Sequence, residues 1–282
     1  MGSFDRMSSL PDELLANVLS FLPTLGAVQT SILSSRWRHL FTLTRDLSFD
    51  DREYFGTAII AQCEERKMSF ERFVYGVLAL HRISPIHKFK VILESTLKYD
   101  CSHLVVWILK GVQHLDLRIG NHPNALPSCI LNCQTLTVLK IYTTTFRRFE
   151  YDLSVPAVVC LPNLGTLKLH RIRFLDGDSA NRFFVGCSRL KVLYLHFCLF
   201  TTDHVRVSAK ELRKLSIVGC SGHAVIDAPN LASLTYACSS SSTGVGVKNL
   251  RSLHSIEVWP ILCPSHLKFC MILLEAPVKS EN

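Results

Sequence analysis

The sequence predicts an α+β chain: a short three-helix module at the amino end, then an α/β solenoid of stacked, strand-bearing coils forming a horseshoe. Three observations carry this. Leucines recur at helical spacing between residues 14 and 22, bounded by Pro11 and Pro23. From residue 112 onward a Leu-x-x-Leu-x-Leu pattern returns at intervals of 19 to 28 residues. Hydrophobic residues make up 48% of the 282 and charged residues 19%, a balance that folds rather than staying disordered.

The first helix is bounded on both sides. Pro11 suits a helix start, where its missing N–H costs nothing. Asp12 and Glu13 follow where the helix dipole favours negative charge. Leu14, Leu15, Val18, Leu19 and Leu22 form the apolar pattern, with Phe21 beside them. Pro23 is expected to end the helix, because the residue before a proline leaves the α region. A second segment offers Val28, Ile32 and Leu33, and a third offers Trp37, Leu40 and Phe41 at i, i+3, i+4. Three such helices are too small for a full core. Either the rest of the chain covers them or another protein does.

Residues 5–51, "DRMSSLPDELLANVLSFLPTLGAVQTSILSSRWRHLFTLTRDLSFDD", resemble a plant F-box. Three motifs agree in order and spacing: Leu-Pro-Asp-Glu-Leu-Leu, Ser-Phe-Leu-Pro and Leu-Ser-Ser-Arg-Trp-Arg-x-Leu. The resemblance implies docking on the Skp adaptor of a cullin-based ubiquitin ligase. It places Leu10, Pro11, Leu14, Leu15, Leu19, Leu22, Val28, Trp37 and Leu40 on the docking surface, some of them also holding the helices together. One departure is Gly26, where the family pattern carries charge before the Ala27-Val28 pair; glycine loosens a helix by roughly 0.5–1 kcal/mol.

The repeat is next. Its anchors are Val112-Leu115-Leu117, Leu136-Leu139-Ile141, Leu164-Leu167-Leu169, Leu190-Leu193-Leu195 and Leu212-Leu215-Ile217, with Leu231-Leu234 and Leu250-Leu253 weaker. This is leucine-rich-repeat spacing, in which each unit seals its apolar side only by stacking on its neighbours. The template position three residues beyond the last strand leucine holds Thr144, Ile172, Cys198 and Cys220. Two residues on stand Phe146, Phe174 and Phe200. These groups are expected to fill the coil interiors, so Cys198 and Cys220 read as packing thiols. The organisation expected is 1–51 F-box, 52–87 helical linker and cap, 88–260 repeats and 261–282 carboxyl tail. The cap helix would carry Phe70, Phe73, Val74, Val77 and Leu78, and a first strand is expected at 88–93. A tryptophan-bearing helix around Trp107 adds a likeness to the plant F-box/leucine-rich-repeat group, many of whose members continue into an FBD module for which this chain leaves no room. Residues 238–249 read as an exposed loop.

Residues between the template leucines point outward on the concave sheet. One column reads Asp116, Lys140, Lys168, Tyr194, Ser216, Thr235; its neighbour reads Arg118, Tyr142, His170, His196, Val218. Lys140, Tyr142, Lys168, His170, Tyr194 and His196 are the candidate target contacts, suited to an acidic or phosphorylated segment. Loops are the competing contact surface.

Other functions fit less well. The eleven cysteines include no C-x-x-C, so no zinc ligand pair is apparent, and no cofactor is expected. Motifs of metalloproteases, serine hydrolases and P-loops are absent, arguing against an enzyme and leaving no catalytic residues to name. The net charge of +8 is scattered, −1 in residues 1–50 and +9 beyond, with no cluster of five basic residues. A basic-surface nucleic-acid binder stays an alternative, as does a decoy that holds the adaptor without a target. No apolar run of about 18 residues spans a membrane. The start carries no secretion signal, and Arg6 occupies the Ser/Thr place of a myristoylation signal. An intracellular protein, nuclear or cytoplasmic, is expected.

Overall fold

The computed structural model describes residues 9–56, 64–81, 86–93, 111–120, 128–143, 151–239 and 245–261. Trp107, Thr144, Phe146 and the tail from 262 onward lie outside them.

Three short helices open the chain: α1 (Asp12–Leu19), α2 (Thr24–Gln29) and α3 (Trp37–Leu40). Pro11 caps α1, its carbonyl accepting from the N–H groups of Leu14 and Leu15 at 3.1 Å each. Arg36 ties the far helix back, pairing with Asp12 at 2.6 Å and donating to the Leu10 carbonyl. Pro23 plays a different part from the one expected. Helix α1 already ends at Leu19, and Pro23 is the cap that starts α2. Its fixed φ suits a helix start as readily as a helix stop.

Strand β1 (Asp46–Asp50) follows at once, so the large sheet begins inside the first 51 residues. The Ser48 N–H donates to Thr24 Oγ1 at 2.7 Å, which welds α2 to that strand. Helix α4 (Asp51–Phe55), at the start of the expected helical linker, is capped by the Asp50 side chain accepting from the Arg52 N–H. Helix α5 (Glu64–Leu80) buries Phe70, Val74, Val77 and Leu78, as its periodicity predicts. Phe49 of β1 meets Phe73 of α5 edge-on at 5.9 Å.

The repeats build two parallel sheets. Among the described residues the larger has nine strands: β1, β2 (Lys88–Leu93), β3 (His114–Ile119), β4 (Val138–Thr143), β6 (Thr166–His170), β8 (Val192–His196), β10 (Lys214–Val218), β12 (Ser233–Ser239) and β14 (Ser255–Ile261), in that order. The smaller runs β5 (Tyr151–Asp152), β7 (Ile172–Phe174), β9 (Leu199–Ser208), β11 (Ser221–Asp227) and β13 (Gly246–Lys248). Helix α6 (Gly177–Val185) sits between β7 and β8, capped by Asp176. The second side of the coils is thus mostly strand. Residues 238–249 also depart from the loop reading: Cys238 and Ser239 end β12, and β13 buries Val247.

Between the sheets lies one continuous core. Every strand anchor from Val112 to Leu234 is buried. Phe174 and Phe200 stack nearly parallel, ring centres 5.3 Å apart. The buried thiols bridge coils: Cys220 donates to the Leu195 carbonyl at 3.1 Å and Cys198 to that of Leu169 at 3.6 Å. Burial raises the Cys198 pKa, so its thiol stays protonated as a donor. The turns after β6, β8 and β10 share left-handed backbone, at Arg171 (φ 56°), Phe197 (φ 55°) and Gly219 (φ 60°). A side chain at Gly219 would meet the Phe197 ring at 2.6 Å, so glycine there serves close packing as well as φ.

Candidate functional site

The amino-terminal helices divide their leucines between two jobs. Leu15, Leu19, Trp37, Leu40 and Phe41 are buried and join the same core as the repeats. Leu14 (50% exposed), Val18 (45%), Leu22 (43%), Phe21 (87%), Ile32 (87%) and Leu33 (65%) face outward. Leu15, Leu19, Trp37 and Leu40, four of the predicted docking residues, thus pack against this chain's own core. Pro11 and Leu14 are exposed, as Leu22 is, and Leu10 and Val28 are half-buried against the core. The sequence reading omitted Val18, Phe21, Ile32 and Leu33 from the surface. Their apolar character on a polar flank was the available signal. Wholly burying such a side chain is worth about 1.5–3 kcal/mol, so water is a poor neighbour for this face. Among the described residues, no helix is long and apolar enough to cross a membrane.

The second candidate is the outward face of the large sheet. Strand pairing aligns Asp116, Lys140, Lys168, Tyr194, Ser216 and Thr235, the column the sequence predicts. It also aligns Arg118, Tyr142, His170, His196 and Val218. The pairing extends the first column to Ser48 and Lys90 at one end and Glu257 at the other, and the second to Trp259. Trp259 is 63% exposed, an aromatic contact the sequence reading missed.

Cations and rings interlock along this face. Lys140 lies 3.7 Å from Asp116. The Lys168 ammonium sits 4.3 Å from the centre of the Tyr194 ring, and the Arg118 guanidinium 5.4 Å from that of Tyr142. Such contacts are worth about 0.5–1 kcal/mol where exposed and more when desolvated. His196 Nε2 and Ser216 Oγ share a hydrogen bond of 3.0 Å. Burial lowers the pKa of His170 and of His196, the latter pushed further by His170 and Lys168. Burial, then the Asp116 carboxylate, raises that of Tyr142. Both histidines are therefore neutral at neutral pH, and the face carries its charge on lysines and Arg118.

Burial disfavours the thiolate form of Cys187 and Cys198. Burial pushes the Cys187 thiol up to about 12, away from the thiolate a nucleophile needs.

Comparison with known proteins agrees with this division. The F-box domain model matches residues 7–47. The family model described as "FBD-associated F-box protein At5g56370, LRR repeats" matches residues 103–260. FBD-associated F-box protein At4g10400 of Arabidopsis thaliana is 32% identical over 81% of this chain and 54% of its own length. F-box/LRR-repeat protein At4g14103 of the same plant is 34% identical over 76% and 55%. F-box/LRR-repeat protein At3g59190, also of Arabidopsis, is 36% identical over 77% and 56%. The chain thus spans about half the length of the curated relatives it matches. No solved structure matches. With helices sharing a core with a stacked parallel sheet, and both models matched in order, the chain belongs to the plant F-box/leucine-rich-repeat family.

Proposed function

We propose that this chain is the target-binding subunit of a Skp–cullin–F-box ubiquitin ligase and does no covalent chemistry itself. The F-box would dock on a Skp-family adaptor, and through it a cullin, while the repeats hold a target protein for ubiquitination. The observation that carries this reading is the split among the amino-terminal leucines. Leu15, Leu19 and Leu40 complete the chain's own core, whereas Leu14, Val18, Phe21 and Leu22 are apolar side chains that the described residues leave exposed. A helical adaptor would bury these side chains without disturbing the fold beneath them. The reading puts the protein to work inside the cell, in the nucleus or cytoplasm.

Co-expression with a plant Skp adaptor tests the proposal. The expected result is a stable complex that the double change Pro11→Ala, Leu14→Ala abolishes while the thermal melt of the chain alone stays in place. Failure to form a complex with any adaptor of the family would end the reading.

A further inference from the structure

Two lysines oppose each other on the large sheet and turn apart. Lys140 of β4 and Lys168 of β6 are register partners, about 5 Å from strand to strand. The Lys140 ammonium turns to Asp116 on β3, at 3.7 Å. The Lys168 ammonium turns the other way, over the Tyr194 ring of β8 at 4.3 Å. Like charges this close repel, so each finds its partner on the far side and a gap opens between them.

Two residues along the same strands, Tyr142 and His170 are also register partners, their ring centres 6.0 Å apart. Phe197 meets His170 edge-on at 5.5 Å and extends the aromatic row. His170 is neutral, its pKa lowered by burial, so it presents a ring face and not a further charge. The four register positions make a square, lysines at one edge and rings at the other. Its edges are separated by one two-residue strand repeat, about 6.6 Å. The surroundings are selective in charge. Outward positions of β4, β6, β8 and β10 carry Lys140, Lys168 and Lys214 and no carboxylate; Asp116 borders the square on β3, beside Lys140, and the other acids stand toward the sheet's ends, at Asp46, Asp50 and Glu257.

An extended peptide has the same repeat: side chains i and i+2 project to one side about 6.6 Å apart. We propose that this square takes an extended peptide segment carrying a carboxylate and an aromatic side chain two residues apart. The carboxylate seats between Lys140 and Lys168, and the aromatic ring lies on Tyr142 and His170. The proposal rests on the reading above that the repeats hold a target protein. A carboxylate suits the site better than a phosphoryl group. Asp116 beside Lys140 repels a dianion more strongly than a monoanion.

Fluorescence anisotropy with the full chain and short labelled Gly/Ser peptides tests this. The probes are Glu-x-Phe and Phe-x-Glu, since either chain direction satisfies the square. The controls are Gln-x-Phe, Glu-x-Ala and adjacent Glu-Phe. The better probe is expected to bind at least about tenfold tighter than every control. Lys140→Gln with Lys168→Gln should erase the preference for Glu over Gln, with the melting temperature lowered by no more than a few degrees. Tyr142→Ala should erase the preference for Phe over Ala and leave the preference for Glu over Gln. Any of three results overturns the inference: neither probe surpassing its controls, a phosphoserine-x-Phe peptide binding about tenfold tighter, or a single-stranded oligonucleotide displacing the peptide at lower concentration. Such a result beside an intact adaptor complex ends this inference and leaves the receptor reading standing. Peptide selectivity without any adaptor complex does the reverse.

Discussion

The F-box helices and the repeat coils spend their leucines differently. In the coils, every strand anchor from Val112 to Leu234 is buried. In α1 and the turn after it, Leu15 and Leu19 are buried while Leu14, Val18 and Leu22 stay roughly half exposed. A coil stacked between two others has an inside and an outside, and its leucines go inside. The F-box helices have a second apolar face that the sheet cannot reach. The contrast teaches that similar leucine content serves closure in one region and availability in the other.

Truncation should break the contrast most visibly in the coils. Phe174→Ala removes a fully buried ring stacked on Phe200 and should cost about 3–5 kcal/mol in urea unfolding. Leu193→Ala should cost about 2–5 kcal/mol, against about 0.5 kcal/mol or less for Phe21→Ala on the exposed helical face. Gly222→Ala comes next. The glycine sits at φ 97°, where an added Cβ would lie 1.8 Å from the Phe200 carbonyl oxygen. It marks the register break between β9 and β11, and the change should cost at least about 1–3 kcal/mol by the same assay.

A smaller effect is expected with pH. His170 and His196 have their pKa values lowered in the fold, first by burial, so the unfolded chain binds protons more readily. Their contribution is intact above the unfolded value near 6.5 and is lost as pH falls through the lowered folded values. The urea midpoint should drop between about pH 7.5 and about pH 5.5, and the drop should shrink in the His170→Gln, His196→Gln variant. The least effect runs the other way. Gly26→Ala in α2 would place a methyl at ordinary contact distance, 3.9 Å from Leu22 Cβ, and should raise stability by about 0.5–1 kcal/mol.

How much of this was legible depended on periodicity. The template leucines repeat often enough to fix strand register, so the outward columns through Lys140 and Tyr142 followed before any coordinates. Helical spacing likewise placed Phe70, Val74, Val77 and Leu78 on one buried face. Spacing could not divide Leu14 from Leu15, because adjacent leucines on a short helix point to different neighbours that only the tertiary fold supplies. The smaller sheet was illegible for another reason. Strands such as β7 and β13, three residues each, are too short to show a period. The left-handed turns at Arg171 and Phe197 carry no glycine to announce them. Both are held by the ladder: the Arg171 N–H donates to the His196 carbonyl at 2.9 Å, and the Phe197 N–H to that of Val218 at 2.7 Å.

Titration calorimetry of the full chain against a Skp adaptor tests the division of leucines most directly. The wild-type chain should bind. Leu14→Ala with Leu22→Ala should weaken binding by about a hundredfold or more, with the melting temperature of the chain unchanged within a few degrees. Equal affinity of wild type and variant, or no binding by either, would contradict the account.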